Sequence, residues 1–328
     1  IEEKLRYECL ELGFNIHNGR ADINAREHLN GDHNRNAVIS GSYIVGCIAL
    51  MDKYPEEASA LLEQVIKQLE IYGRCFYPGG AYDEGYTYWT YGMQYFNRAT
   101  ATLDINYGTD FGLWNAPGMD ESPYWIIYGS SLNKPNNYGD SGSGSPTECM
   151  GDFGYIAKKL DDPGLEELRH LYFTKKNLTY TDIWYSTPGI AQRDIKDISA
   201  PLDSYFPVLE QINFRSSWGT EQATFLSAHG GESLPNTHAH LDTGAFVFEM
   251  LGERWIDELP GEDYSFKSDL VHNELKEELA ALKIGYNANP VCYLTRPEGH
   301  STIVINPDYE AGHNFHANSP VTHFVSKE

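Results

Sequence analysis

Basic side chains are scarce in this sequence: 24 lysines and arginines face 47 aspartates and glutamates, leaving a net charge of −23 over 328 residues. Nucleic acids are held chiefly by cationic side chains that neutralise phosphates, so this balance excludes nucleic acid as a partner. Long apolar runs are absent. The strongest, Tyr43 to Met51, is far shorter than the roughly 18–20 residues of a membrane span, and reads as a core helix of a soluble chain. Cysteine is sparse as well. The five (Cys9, Cys47, Cys75, Cys149 and Cys292) are widely scattered, which suits neither a disulfide framework nor a CxxC metal site; they read as small buried hydrophobes. No repeat of fixed period and no low-complexity tract is found. The chain opens on Ile1, with helical character already over Glu2–Gly13 and no signal peptide in view.

What is present is apolar and aromatic: 41% of residues are hydrophobic and 13% aromatic, enough for a large core, and the length suggests two domains. Up to about residue 195 the pattern is helical. Asn36–Tyr54 carries Val38, Ile39, Tyr43, Ile44, Cys47, Ile48 and Met51 at spacings of three and four. Pro55 opens a second helix with Leu61, Leu62, Val65, Ile66, Leu69 and Ile71 on its apolar face, proline being well tolerated in a first turn. After the Tyr77-Pro78-Gly79-Gly80 turn a third helix is expected from Glu84 or Tyr86 to about Asn106, with shorter ones at Ser122–Tyr128, Thr147–Leu160 and Gly164–Phe173. Ser130–Pro146, rich in Gly, Ser and Asn, reads as a loop. Successive helices without strands form hairpins around one core, in a bundle or an α/α toroid. From about Pro201 the segments Val208–Ser217, Ala223–Ala228, Gly244–Leu251, Arg254–Leu259 and Ser301–Ile305 are short, β-branched and aromatic, as in an antiparallel sandwich.

The densest polar constellation is Asn236-Thr237-His238-Ala239-His240-Leu241-Asp242. If this run is a strand, His238, His240 and Asp242 share one face, as a metal or acid–base site needs. The HxHxDH signature of the metallo-β-lactamase superfamily is excluded, because Thr243 stands where its last histidine belongs and the first half is helical. A second set of motifs covers more of the chain. Arg215-Ser216-Ser217-Trp218-Gly219 is followed by His238-Ala239-His240-Leu241-Asp242-Thr243-Gly244-Ala245-Phe246, then by Trp255-Ile256-Asp257 and by Arg296-Pro297-Glu298-Gly299-His300-Ser301. In the helical half stand His33-Asn34-Arg35-Asn36-Ala37-Val38 and Tyr77-Pro78-Gly79-Gly80-Ala81-Tyr82-Asp83-Glu84-Gly85-Tyr86-Thr87-Tyr88-Trp89-Thr90-Tyr91-Gly92. In this order, over roughly residues 30 to 305, they resemble the motifs of the heparinase II/III-like polysaccharide lyases. Ser301 departs from the asparagine common in the family's later histidine motif, and Asn36 stands where heparinase II has an acidic residue.

The resemblance implies an α+β multidomain fold: a helical, toroid-like domain over residues 1–195, truncated at its N-terminus, then an antiparallel β-sandwich over 196–328, incomplete at its C-terminus. It also implies β-elimination on an acidic polysaccharide. Glycosaminoglycans such as heparan sulfate, chondroitin or hyaluronan lead, with alginate behind. That chemistry needs the uronate carboxylate neutralised, a base for the C5 proton and an acid for the leaving oxygen. By resemblance His33 and Asn36 neutralise the carboxylate, Tyr91 (with Tyr88 its rival) is the Brønsted acid and base once its pKa is lowered, and His238 is the second base. Arg35, Arg215, Trp89 and Glu84 are the substrate-binding candidates. Arg20, Arg26, Arg98 and Arg193 could add to a basic cleft, which the acidic surface otherwise opposes. His240, Asp257 and His300 match the family's metal positions, and two imidazoles with a carboxylate suit a structural zinc ion, with Asp242 fixing a ligand tautomer. The plainer readings are an aromatic core stripe for Tyr88, Tyr91 and Tyr95, helix capping for His33 and Asn36, and a metal-free hydrogen-bond network for the histidines. Two rival functions are a toroid hydrolase on similar sugars and a non-catalytic glycan-binding protein. Compartment is left between secreted or periplasmic and cytoplasmic.

Overall fold

The structure, a computed structural model, describes residues 2–20, 28–142, 150–165, 167–168, 200–233, 238–259, 293–305 and 317–326. They divide into two compact units, Ile1–Tyr77 with Tyr88–Asp120, and Pro78–Thr87 with Glu121–Glu328. The expected boundary near residue 195 falls outside the described residues, and the helices at 122–128 and 150–160 group with the strands rather than with the helical unit.

The first unit is helical. Helix α1 joins Glu2–Leu5, a π-helical Arg6–Glu11 and Leu12–His17. Helix α2 spans Asn34–Leu50 and α3 spans Pro55–Tyr72, with Pro55 in the first turn as its fixed φ favours. These two pack on each other. Ile44, Leu61, Val65, Leu69 and Tyr72 are fully buried, and Leu50 and Leu62 nearly so. Helix α4, Gly85–Tyr107, begins in the second unit and ends in the first, where Met93, Phe96, Ala99 and Leu103 enter the core. Edge-on rings complete it: Tyr72 against Phe76 at 5.3 Å and Phe96 against Trp114 at 5.4 Å. Helix α2 stops four residues before the expected Tyr54, because Met51–Lys53 turn toward Pro55.

The second unit holds helices α5 (Ser122–Tyr128) and α6 (Met150–Leu160) and a five-stranded antiparallel sheet in the order β1-β2-β3-β5-β6. Its strands are β1 Ser204–Phe206, β2 Gln211–Arg215, β3 Phe225–Ala228, β5 Phe246–Met250 and β6 Glu253–Ile256. The register pairs Asn213 with Ser227 and Leu226 with Phe248, with a bulge after Phe248. A two-stranded ribbon pairs β4 Gly231–Glu232 with β7 Asn318–Ser319. Ser301–Ile305, expected as a strand, is irregular; Ser301 lends one carbonyl to the Phe246 N–H. The Gly164–Phe173 helix lies largely outside the described residues. Among the described residues no helix is long and apolar enough to cross a membrane.

One face of the sheet buries polar side chains. Gln211, Asn213, Arg215, Ser227 and Glu249 alternate inward; α5 with the loop after it supplies partners to all but Asn213, which meets Gln211 and Ser204. Trp125 Nε1 donates to Gln211 at 2.8 Å, and Arg215 donates to the Tyr128 carbonyl at 2.6 Å. Ser131 and Asn133 donate to Glu249 at 2.9 and 2.6 Å. A buried polar group costs little only when paired, so this loop is an integral part of the sheet's cover.

Candidate active site

A cavity of about 420 Å³ opens in the second unit, with Glu84, Trp125, Tyr138, His229, His238 and Asp242 among its lining residues. Among the lining residues five carboxylates (Asp83, Glu84, Glu210, Glu232 and Asp242) and two imidazoles carry the charge, with no lysine or arginine.

His238 is 7% exposed and stands between two acids. Its Nδ1 lies 3.2 Å from Asp140 Oδ2, and its Nε2 lies 3.5 Å from Glu84 Oε1. Glu84 in turn accepts the Tyr82 hydroxyl at 2.5 Å. Asp140 reaches a second ring, with its Oδ1 2.9 Å from His240 Nε2. The His238–Asp242 segment is not a strand, so alternation does not orient these side chains. Instead the loop before α6 does. Asp140 N–H donates to the His238 carbonyl at 2.9 Å, and the Gly139 N–H donates to Asp242 at 2.9 Å. Gly139 has φ +59°, and a Cβ there would sit 2.6 Å from the His238 carbonyl oxygen, so the approach demands glycine.

Asp242, expected to fix a ligand tautomer, lies 3.5 Å from His229 Nε2, and the His229 ring packs on Tyr138 at 4.3 Å. Burial drives the Asp242 carboxyl up, but the facing His229, with the nearby His300 and His240, overcomes it and holds the group far below the ordinary carboxylate range. Burial likewise draws His229 down, and the Asp242 charge more than offsets it, leaving His229 above the usual histidine value.

The three expected metal ligands do not converge. His240 faces Asp140, His300 Nδ1 hydrogen-bonds Glu258, and Asp257 pairs with Lys134 at 2.8 Å and Arg254 at 3.4 Å. The His240 and His300 rings lie 5.2 Å apart, but the carboxylate beside His300 is Glu258, one position along from the expected Asp257. The described residues contain no group of three or more His, Cys, Asp or Glu arranged to hold a metal, so this donor set does not fit zinc as placed.

In the first unit the remaining candidates divide. Asn36 is fully buried, and its amide donates to the Gly31 and Gln68 carbonyls at 2.9 Å each while accepting the Ser40 hydroxyl. That occupies the amide as a strut between α2 and α3, against its expected role of meeting a substrate carboxylate. His33 is the N-cap residue of α2, half-buried, with its ring edge-on to His28. Arg35 is exposed and meets His28 at 3.1 Å. Tyr88 is half-buried; Tyr91 is 44% exposed and packs edge-on against Tyr95 at 5.5 Å. Partial burial and the neighbouring Tyr95 raise the Tyr91 pKa, opposite to the expected lowering. Trp89, 1% exposed, is a core side chain and offers no stacking face. Arg215 of the second unit is spent on the Tyr128 and Ser130 carbonyls and lies 3.7 Å over Trp218, so it is no cleft cation. Arg98 stacks on Tyr95, while Arg26 and Arg193 lie outside the described residues.

The sequence pattern missed Asp140, Glu258, His229 and Tyr138. The one available signal was glycine beside a carboxylate in Tyr138-Gly139-Asp140.

No protein-family model matches the chain, and no curated protein matches it. Its fold does match solved structures. A structure of heparinase III aligns at a TM-score of 0.51 and 13% identity, over 71% of this chain and 37% of that one. A heparinase III gene product aligns at 0.53 and 16%, over 81% and 36%. A heparan sulfate lyase HepC mutant from Pedobacter heparinus aligns at 0.51 and 14%, over 80% and 38%. The chain thus spans little more than a third of the length of these structures, and at such identity the likeness is one of fold.

Proposed function

We propose that this chain carries part of the machinery of a polysaccharide lyase that cleaves uronic-acid glycans by β-elimination. The observation that supports this best is His238, buried on a cavity wall between Glu84 and Asp140, in a chain folded like part of heparinase III. Carboxylates beside both ring nitrogens hold the imidazole in one orientation. In this reading a base removes the C5 proton, the electron pair forms the C4–C5 double bond, and the C4–O bond breaks as an acid protonates the leaving oxygen. His238 acts as one of these groups. The substrate is an acidic polysaccharide of the glycosaminoglycan type, met in a secreted or periplasmic setting.

The test is incubation with a panel of uronic-acid polymers, following the ultraviolet absorbance of the conjugated unsaturated product. His238→Ala should lower the rate roughly 10²–10⁴-fold, as expected for loss of a general acid–base group. One observation favours hydrolysis instead: Asp83 and Glu84 both border the cavity, and glycosidases work with two carboxylates. New reducing ends without the absorbance would establish that second reading and sink the lyase.

A further inference from the structure

The cavity that His238 borders carries a charge at odds with a polyanion. Asp83, Glu84, Glu210, Glu232 and Asp242 stand against the imidazoles of His229 and His238, and the described residues that line it include no lysine or arginine. Even with both rings protonated, the five carboxylates outnumber the two cations. Glu210 leads into β2, and its Oε2 accepts the Tyr205 hydroxyl at 2.9 Å and the Val321 N–H at 2.7 Å, so the carboxylate is held by one oxygen. Glu232 stands exposed on the ribbon strand β4. A separate feature points to a guest. Ser141 is 1% exposed, its hydroxyl has no hydrogen-bond partner, and it borders the same cavity. Its Oγ is directed at the start of α4, where a Cβ on Gly85, another residue of the cavity wall, would come within 2.6 Å of it. A buried hydroxyl left unpaired costs free energy that a polar ligand would offset.

We propose that this cavity is a subsite for a hexosamine whose amino group is unsubstituted and protonated, the sugar next to the uronate in the polymer. The polymer's identity rests on the lyase reading; the substituent follows from the cavity. An ammonium carries a positive charge and three donors, and its charge-assisted bonds to carboxylate oxygens are of the strong class. An N-sulfate in the same place would meet like charges, with no lysine or arginine among the described lining residues to neutralise it. An N-acetyl group offers one N–H and no charge. The volume of about 420 Å³ lies within the roughly 300–1,000 Å³ of small-ligand pockets and accommodates a sugar ring. The Ser141 hydroxyl gains its missing partner from that sugar. A polymer bearing ammonium groups is also less repelled by a chain of net charge −23.

The experiment is titration calorimetry of the full chain with glucosamine, N-acetylglucosamine and N-sulfoglucosamine at mildly acidic pH, where the free amine is protonated. Glucosamine should bind roughly 10-fold or more tightly than N-acetylglucosamine, N-sulfoglucosamine should not bind, and added salt should narrow the difference. Glu210→Gln and Glu232→Gln should each weaken glucosamine roughly 5–10-fold and leave N-acetylglucosamine unchanged, whereas Ser141→Ala should weaken both sugars alike. Should Glu210→Gln fail to fold, the wild-type ranking and the exposed Glu232 still decide the matter. The same three substituents are then compared in uronic-acid polymers through the absorbance of the unsaturated product. Glucosamine binding without cleavage of any polymer would keep the subsite and sink the lyase reading. Failure of glucosamine to bind, or equal or tighter binding of the acetylated or sulfated sugar, would overturn the subsite, and the absorbance would still report separately on the lyase.

Discussion

In the first compact unit the groups removed from water are chiefly Ile44, Leu61, Val65, Leu69, Phe96 and Trp114; in the second they include Gln211, Asn213, Arg215, His238, His240, Asp242, Glu249 and Glu258. An apolar core gains stability from area and close packing, and tolerates change in proportion to the volume lost. A charged interior depends on every partner being present, since a single unpaired charge is far costlier than a small void. The same charges are what acid–base chemistry uses. The difference teaches where to look for chemistry in this chain, and it can be tested.

The largest effect should come from Glu249→Ala. It removes the nearer carboxylate, 3.1 Å away, from the buried Arg254 guanidinium, leaving Asp257 at 3.4 Å, and takes an acceptor from both Ser131 and Asn133. A loss of about 3–5 kcal/mol in urea unfolding is expected. Leu69→Ala, at a fully buried site in the first unit, should cost about 2–5 kcal/mol through cavity formation alone. If the polar change proved milder than the apolar one, the contrast between the units would fail.

Acid and alkali sharpen it further, because a histidine in each unit responds with opposite sign. In the first unit burial holds His17 below its ordinary pKa, though the Gly13 carbonyl 2.8 Å away works against this. Its stabilising contribution is present above the unfolded value and lost as pH falls below about 6.5. In the second unit His229 is held above its ordinary value, so its contribution is complete below about 6.5 and lost as pH rises through the higher folded value. Asp242 is held low, and its share disappears only as acid takes it below the ordinary carboxylate range. Unfolding midpoints across pH should therefore fall on the alkaline side in wild type, and Asp242→Asn should flatten that limb while His17→Gln flattens the decline just below neutrality. A curve unchanged by Asp242→Asn would refute the pairing. The smallest change expected is Asp110→Ala, which removes the acceptor of the Gly112 and Trp114 N–H groups and should cost about 1 kcal/mol, measured by thermal unfolding.

The helices were legible because their apolar residues recur at spacings of three and four: α3 begins at Pro55 and α5 at Ser122, where the pattern places them. Strands β2, β3 and β5 were legible too, but trimmed at their ends. The polar inward face of the sheet was not. Gln211, Asn213 and Ser227 carry no hydrophobic signal; Gln211 and Ser227 are paired by Trp125 of α5 and Asn136 of the loop after it, 86 and 91 residues earlier, and Asn213 by Gln211 and Ser204. At the site, the motif residues His238 and Glu84 are drawn together, whereas Asp140 sits in a stretch that composition labels a loop. Glu258 rather than Asp257 meets His300 because the chain past β6 is irregular, so adjacent carboxylates point to different neighbours.

Local spacing alone determined which stretches coil into helices and which extend, since burying an apolar stripe depends on neighbours within a turn or two along the chain. The tertiary structure decided which carboxylate meets which imidazole, and that Asn36 and Arg215 are struts. Those pairings join residues far apart in the chain, and the reach of a hydrogen bond is a few ångströms, so they exist only once the backbone has brought both partners to one place.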